Sequence, residues 1–65
     1  MLMYELHVYY PGDRIPRMTV RAARAAEALD RIPQLLAEHD GCEHIVVMVS
    51  GVRLFAVDCH GNRLP

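Results

Sequence analysis

The chain is short, weakly acidic and rich in apolar residues. Its 65 residues carry a formal net charge of -1, with 52% apolar and 23% charged residues. A chain of this length supports one small domain, residues 1–65, and buries only about 60% of the surface that its unfolded form exposes. The composition excludes a disordered chain, and the charge disfavours direct nucleic-acid binding, which typically needs a strongly basic surface.

The sequence has no pattern typical of secretion or membrane insertion. Residues 1–10 lack a basic stretch and include Glu5 and His7. The longest uninterrupted apolar run, residues 45–49, is too short to cross a bilayer. We therefore expect a cytoplasmic protein with no membrane contact.

Two strands are predicted before the helix. Apolar or aromatic residues occupy the even positions from 2 to 10, and the run ends at Pro11-Gly12-Asp13, which predicts a first strand. Residues 17–22 alternate more weakly. They predict a short edge strand protected by arginines, or instead an extended entry into the helix.

Helical spacing begins at about Ala23 and continues to Asp40-Gly41. The apolar stripe that we expect to face the sheet consists of Ala22, Ala26, Leu29, Ile32 and Leu36. Pro33 interrupts this segment, because proline lacks an amide proton and crowds the carbonyl four residues earlier. We expect either a kinked helix or a second helix capped by Asp30.

The last third of the sequence predicts a hairpin of residues 43–49 and 52–59, joined by Ser50-Gly51. A two-residue loop pairs Val49 with Val52 and gathers apolar residues on one face, where a helix can cover them. A three-residue loop would pair Val47 with Arg53 and split that face. We therefore prefer the two-residue loop.

The predicted order of elements is β-β-α-β-β. Its natural assembly is an α+β, two-layer sandwich: a four-stranded, mostly antiparallel sheet with one helix, kinked by Pro33, on one face. The order of the strands within the sheet stays open at this point.

The preferred register also predicts which residues lie on the face without a helix, here called the open face. There, Val46 pairs with Phe55 and Met48 with Arg53. Because one helix covers only one side of the sheet, we expect an apolar patch on the open face, and such patches mark protein contacts. The residues predicted to bind a partner are His7, Tyr9, Val46, Met48, Arg53 and Phe55, and Val57 is expected beside them.

Two kinds of partner fit such a patch. A second copy of the chain would give a homodimer and would relieve the limited stability of a small domain. A foreign protein would use the same aromatic and arginine residues as a binding hot spot. Both readings stay open.

Cys42, His44 and Cys59 are weak candidates for metal ligands. Their residue types suit zinc, but the spacing C-x-H differs from the two to four residues that usually separate paired ligands. We therefore expect no metal and no cofactor. The register places Cys42 opposite Cys59, close enough for a disulfide, although a reducing cytoplasm favours free thiols.

The stretch Asp58-Cys59-His60 has the residue types of a nucleophilic site. Neighbours on a strand point to opposite faces, so they cannot act on one another, and no glycine-rich turn or helix N-terminus follows to stabilise an oxyanion. We therefore expect no enzymatic activity.

The order of elements, the helix entry "VRAARAAEAL" and the closing hairpin "HIVVMVSGVRLFAVDCHGNRLP" resemble small phage and mobile-element proteins, including anti-CRISPR inhibitors. The resemblance covers most of the chain and is one of pattern and size. It implies a stoichiometric inhibitor that binds a CRISPR effector subunit in the host cytoplasm, without catalysis or cofactor. The alternative is a self-associating structural or regulatory domain, similar to an accessory or toxin-antitoxin protein, and a more distant one is a small metal-binding protein.

Overall fold

The structure, a computed structural model, describes residues 2–65 and has the predicted α+β architecture. Its elements are β1 (Tyr4–Tyr9), β2 (Met18–Ala22), α1 (Ala25–Glu38), β3 (His44–Val49) and β4 (Val52–Asp58). The strands form one antiparallel sheet in the order β2-β1-β3-β4. Residues 18–22, for which the sequence left two readings open, are therefore an edge strand.

The core lies between α1 and one face of the sheet, here called the inner face. Leu6 and Val8 of β1 are fully buried, and they pair across the strands with Val47 and Ile45. Complete burial of such a side chain stabilises the fold by about 1.5–3 kcal/mol. The side chains from the helix that complete this core are those of Ala28, Ile32 and Leu35.

The buried face of α1 differs from the predicted stripe. Only Ile32 of the stripe's helical residues is buried, whereas Leu29 is 51% exposed and Leu36 is half-buried. The helix also continues through Pro33 as one element, so the second helix does not form. Pro33 is exposed, and water can therefore reach the helix around the missing amide proton.

The predicted two-residue loop between β3 and β4 is confirmed. Ser50 and Gly51 have φ angles of 48° and 81°, and two successive positive values are typical of the hairpin turn whose twist matches that of the strands. Val49 pairs with Val52, and Met48 with Arg53, as the sequence predicts.

Beyond Arg53 the predicted register is wrong, because β4 contains a bulge. Val47 pairs with Phe55 and not with Leu54, so Leu54 is an extra residue on this strand. One inserted residue reverses the faces of all residues that follow. Phe55 and Val57 therefore lie on the inner face, where Val57 is 4% exposed, and the prediction that both lie on the open face is wrong.

Residues 59–65 turn back along the outer edge of β4. The amide of Asp58 donates to the carbonyl of Asn62, and the amide of Leu64 donates to the carbonyl of Ala56, each at 2.8 Å. Gly61, at φ 84°, takes the left-handed conformation that this turn requires. No helix within residues 2–65 has the length and apolar character that crossing a membrane requires.

The bulge predicts different costs for truncating two apolar residues of β4. Val57→Ala should lower the free energy of unfolding by about 2 kcal/mol, because it leaves a cavity in the core. Leu54→Ala should cost less than about 1 kcal/mol, since Leu54 is 51% exposed. Urea denaturation followed by circular dichroism measures both, and the reverse ranking would contradict the observed register.

Candidate functional site: a groove between α1 and β4

A single helix covers only part of the inner face. With its side chains a helix is about 10 Å across, and neighbouring strands lie about 4.8 Å apart, so one helix covers about two strands. The backbone of α1 lies closest to β1 and β2. The inner face of β4, at the far edge of the sheet, is therefore covered only in part: Val57 is buried, whereas Phe55 is half-buried beside the helix.

Between the helix and this strand lies an open depression, here called the α1–β4 groove. Its main cavity has a volume of about 410 Å³, and a second cavity of about 80 Å³ lies beside it. The helix wall is formed by Leu29, Pro33 and Leu36, and the strand wall by Phe55 and Val57. Leu29 and Phe55 line both cavities, which therefore form one continuous groove.

The rims of the groove expose large apolar side chains. Leu29 on the helix and Leu54 on the strand are each 51% exposed, and Val52 at the start of β4 is 62% exposed. By helical spacing, Ala26, Asp30 and Ala37 lie on the same side of α1 as Pro33, and all three are exposed. Grouped exposure of large apolar side chains makes this groove the candidate contact surface of the molecule.

Arg63 closes one end of the groove. Its guanidinium carbon lies 4.2 Å from the centre of the Phe55 ring, which is the geometry of a cation–π contact. His60 lines the same end of the cavity. Among residues 2–65 no carboxylate forms an ion pair with Arg63, and no residue that lines either cavity is acidic.

Asp58 holds the turn that places these two residues. Its carboxylate accepts hydrogen bonds from the amides of His60 and Asn62, both at 2.9 Å. The bond from the Asn62 amide, followed by that from His60, lowers the pKa of Asp58 below its ordinary value of 3.8, because both bonds favour the ionised form.

The open face carries five of the six residues predicted to bind a partner. The pairing of the strands places His7, Tyr9, Val46, Met48 and Arg53 there. Phe55 does not lie with them, since the bulge turns it into the groove. Ala56 and Asp58 take the places on the open face that the sequence assigned to Phe55 and Val57.

The polar side chains of the open face largely contact one another. The Glu5 carboxylate lies 2.9 Å from Nε2 of His7 and 3.5 Å from Nε of Arg21. The rings of Tyr9 and His44 stack with their centres 4.8 Å apart. The open face is therefore less apolar than predicted, and the more exposed apolar surface is the α1–β4 groove.

Sequence reasoning missed this groove, although two signals for it are present. The run Leu54–Val57 contains four successive apolar residues, which a regular alternating strand with one polar face does not accommodate. Leu29 and Leu36 also lie one position away from the buried residues of α1. Both signals indicate an apolar surface beyond the core.

The candidate metal ligands do not form a cluster. Cys42 is buried in the core, Cys59 is exposed, and both thiols are free. Burial raises the pKa of Cys42, because the thiolate is poorly solvated there. His44 lies on the open face beside Tyr9, and within residues 2–65 no three His, Cys, Asp or Glu side chains are placed to hold a metal ion.

No protein-family model, curated protein or solved structure matches the chain. The resemblance to small phage proteins therefore stays a prediction, and the surfaces described above are the basis for inferring a function.

The contacts of Asp58 predict that its ionisation organises one end of the groove. Asp58→Ala should remove two hydrogen bonds to a charged acceptor and free Arg63 from Phe55, so the amide resonances of His60 and Asn62 should shift together with the ring resonances of Phe55. In the unmodified chain the same amides should titrate with a midpoint below 3.8, because the stabilising bonds are lost only as the pH falls through the lowered pKa. Two-dimensional NMR measures both.

Asp30→Ala, which removes an exposed acid from α1, is the matched control and should leave these resonances in place. Unchanged Phe55 resonances in Asp58→Ala would contradict the proposed role of the turn.

Proposed function

We propose that this chain is a non-enzymatic protein-binding module whose contact surface is the α1–β4 groove. The observation that carries the proposal is the 51% exposure of two leucines, Leu29 and Leu54, on opposite walls of one groove. Burying a leucine completely is worth about 1.5–3 kcal/mol, so a partner that covers this groove gains a substantial part of its binding energy there.

The groove is favoured over the open face for two reasons. On the open face, the apolar side chains of Val46 and Met48 are half-buried and expose less surface than the leucines of the groove. Their neighbours Glu5 and His7 are polar and already contact one another. In the groove, Phe55 and Arg63 supply the aromatic and arginine side chains that dominate binding hot spots. A partner of ordinary size would cover about 800 Å² of the chain, or roughly a fifth of its accessible surface of 4375 Å².

The specific form of the proposal is a stoichiometric inhibitor of a bacterial defence complex, as the resemblance to anti-CRISPR proteins implies. A small rigid domain that acts by covering a partner's surface needs one binding face and no reactive centre. What supports this form is the β-β-α-β-β order, the size of the chain and the presence of such a face.

Two variants that each add one negative charge to a strand test the binding surface. Leu54→Glu places a carboxylate in the groove, whereas Thr19→Glu places one on the open face, and both residues are exposed. Leu54→Glu should lower capture of a partner from bacterial lysate at least tenfold, because a buried charge without a counterion is costly. Thr19→Glu should leave capture unchanged.

Quantitative mass spectrometry of the captured proteins measures the difference, with circular dichroism to show that both variants fold. If Thr19→Glu abolishes capture of the partner and Leu54→Glu does not, the contact surface is the open face and not the groove. If light scattering shows a homodimer that Leu54→Glu separates, the groove belongs to a self-associating domain and the proposal of a foreign partner is wrong.

The inhibitor form has its own test. The chain is expressed in a bacterium with an active CRISPR system, and the plating efficiency of a targeted phage is measured. The efficiency should rise by orders of magnitude with the unmodified chain and with Thr19→Glu, but not with Leu54→Glu. If interference is equally strong with and without the chain across CRISPR types, this form of the proposal is wrong, although the binding module itself is not.

A further inference from the structure

We propose that the main cavity of the α1–β4 groove binds a small carboxylic acid with an apolar body, whose carboxylate pairs with Arg63. This inference goes beyond the proposed function and does not rest on it, because the ligand binds the chain alone. It follows from the bounded shape of the cavity, the apolar character of its walls and the charge at its end.

The cavity is bounded on several sides and has the size of a small molecule. The lining residues Ile32 and Val57 belong to the core and are 9% and 4% exposed, so they form its floor. At one end the turn reaches the helix, since a Cβ atom at Gly61 would lie 3.4 Å from Cδ1 of Leu36. The volume of about 410 Å³ lies within the range of small-molecule sites, about 300–1,000 Å³. The cavity therefore suits a ligand of small-molecule size.

The walls of the cavity select an apolar ligand body. Leu29, Pro33 and Leu36 line it from the helix, and Phe55 lines it from the strand. None of these side chains has a hydrogen-bonding group, so a polar ligand body would lose its contacts with water and gain none from these walls. Leu54, the exposed leucine of the strand, does not line this cavity, and a bound ligand leaves it available to a protein partner.

The charge at the end of the cavity selects an anion. The Arg63 guanidinium lies 4.2 Å from the centre of the Phe55 ring, and stacking through one face leaves its in-plane N–H groups available to a ligand. His60 is the other residue with a polar side chain that lines the cavity. Asp58, the acid of this turn, accepts hydrogen bonds from the amides of His60 and Asn62 and does not line the cavity. The cavity therefore presents positive charge without a carboxylate among its lining residues.

A carboxylate suits this end of the cavity better than a phosphate. Among residues 2–65, Arg63 is the only permanently charged residue that lines the cavity, and a guanidinium pairs with a carboxylate through two parallel N–H···O bonds. A phosphate monoester carries nearly two negative charges at neutral pH and needs more than one cation to balance them. Because Arg63 contacts the apolar wall at Phe55, a ligand with a short apolar body reaches the wall and the cation together.

Phenylpropionate and its amide, which differ in charge but hardly in shape, test this inference. In an NMR titration of the isotope-labelled full chain, phenylpropionate should give saturable shifts of the Val57 and Gly61 amides and of the Phe55 ring. A ligand of about eleven non-hydrogen atoms should have a dissociation constant of about 1 mM. The amide should bind at least about fivefold more weakly, since it cannot form a charge-assisted pair with Arg63.

Variants assign the preference for the acid to its source. Arg63→Met keeps an apolar side chain beside Phe55 but removes the charge, so the acid and the amide should then bind within about twofold of each other. Arg53→Met removes an exposed arginine from the open face and should leave the preference intact. Leu29→Gln should weaken binding of both ligands by about threefold or more, because it makes part of one wall polar. Circular dichroism shows that each variant folds.

Several outcomes would overturn the inference. Absence of saturable shifts with up to about 20 mM phenylpropionate would show that the cavity binds no such ligand. Equal affinity for the acid and the amide, or a preference that survives Arg63→Met, would remove the role of Arg63.

A pentapeptide that ends in phenylalanine with a free carboxylate distinguishes a protein terminus from a small molecule. If it binds more than about tenfold more tightly than phenylpropionate, the occupant is the C-terminal residue of a protein and the small-molecule ligand is wrong. None of these measurements uses capture of a partner, so the proposed protein-binding function is tested separately.

Discussion

With its side chains, α1 is about 10 Å wide, whereas four paired strands extend over about 19 Å, and this mismatch in width governs the surface of the molecule. The helix lies closest to β1 and β2, where it buries Leu6 and Val8, and it covers the inner face of β4 only in part, since Phe55 is half-buried there. Residues 2–65 form no second helix that could cover the rest of β4. The apolar residues at the margin of the core therefore line a groove and face solvent.

Two local features give this groove its chemistry. The bulge at Leu54 turns Phe55 and Val57 to the inner face, which makes the strand wall aromatic and aliphatic. The turn held by Asp58 then brings Arg63 back over the Phe55 ring, so a cation lies at the end of an apolar channel. The bulge also contributes to the core, since it turns Val57, which is 4% exposed, onto the inner face beside Ile45.

The order of elements, the two-residue turn and the α+β class follow from the sequence, because alternation, helical spacing and the Ser50-Gly51 turn are local signals. The faces of β4 and α1 do not follow as readily. The apolar run Leu54–Val57 indicates a departure from regular alternation, but it does not show which residue is the extra one, because packing between the strands fixes the position of a bulge. On α1, the apolar residues of the groove and of the core form one broad stripe, and periodicity alone cannot separate Leu29 from Ala28.

The central claim is that Phe55 lies in a groove beside α1 and not on the open face. Nuclear Overhauser effects from the ring protons of Phe55 test this claim most directly in a protein of this size. The structure predicts cross-peaks from the ring to the methyl groups of Leu29 and to the side chain of Arg63. Cross-peaks to Val46 and Met48 in their place would put Phe55 on the open face and contradict the groove.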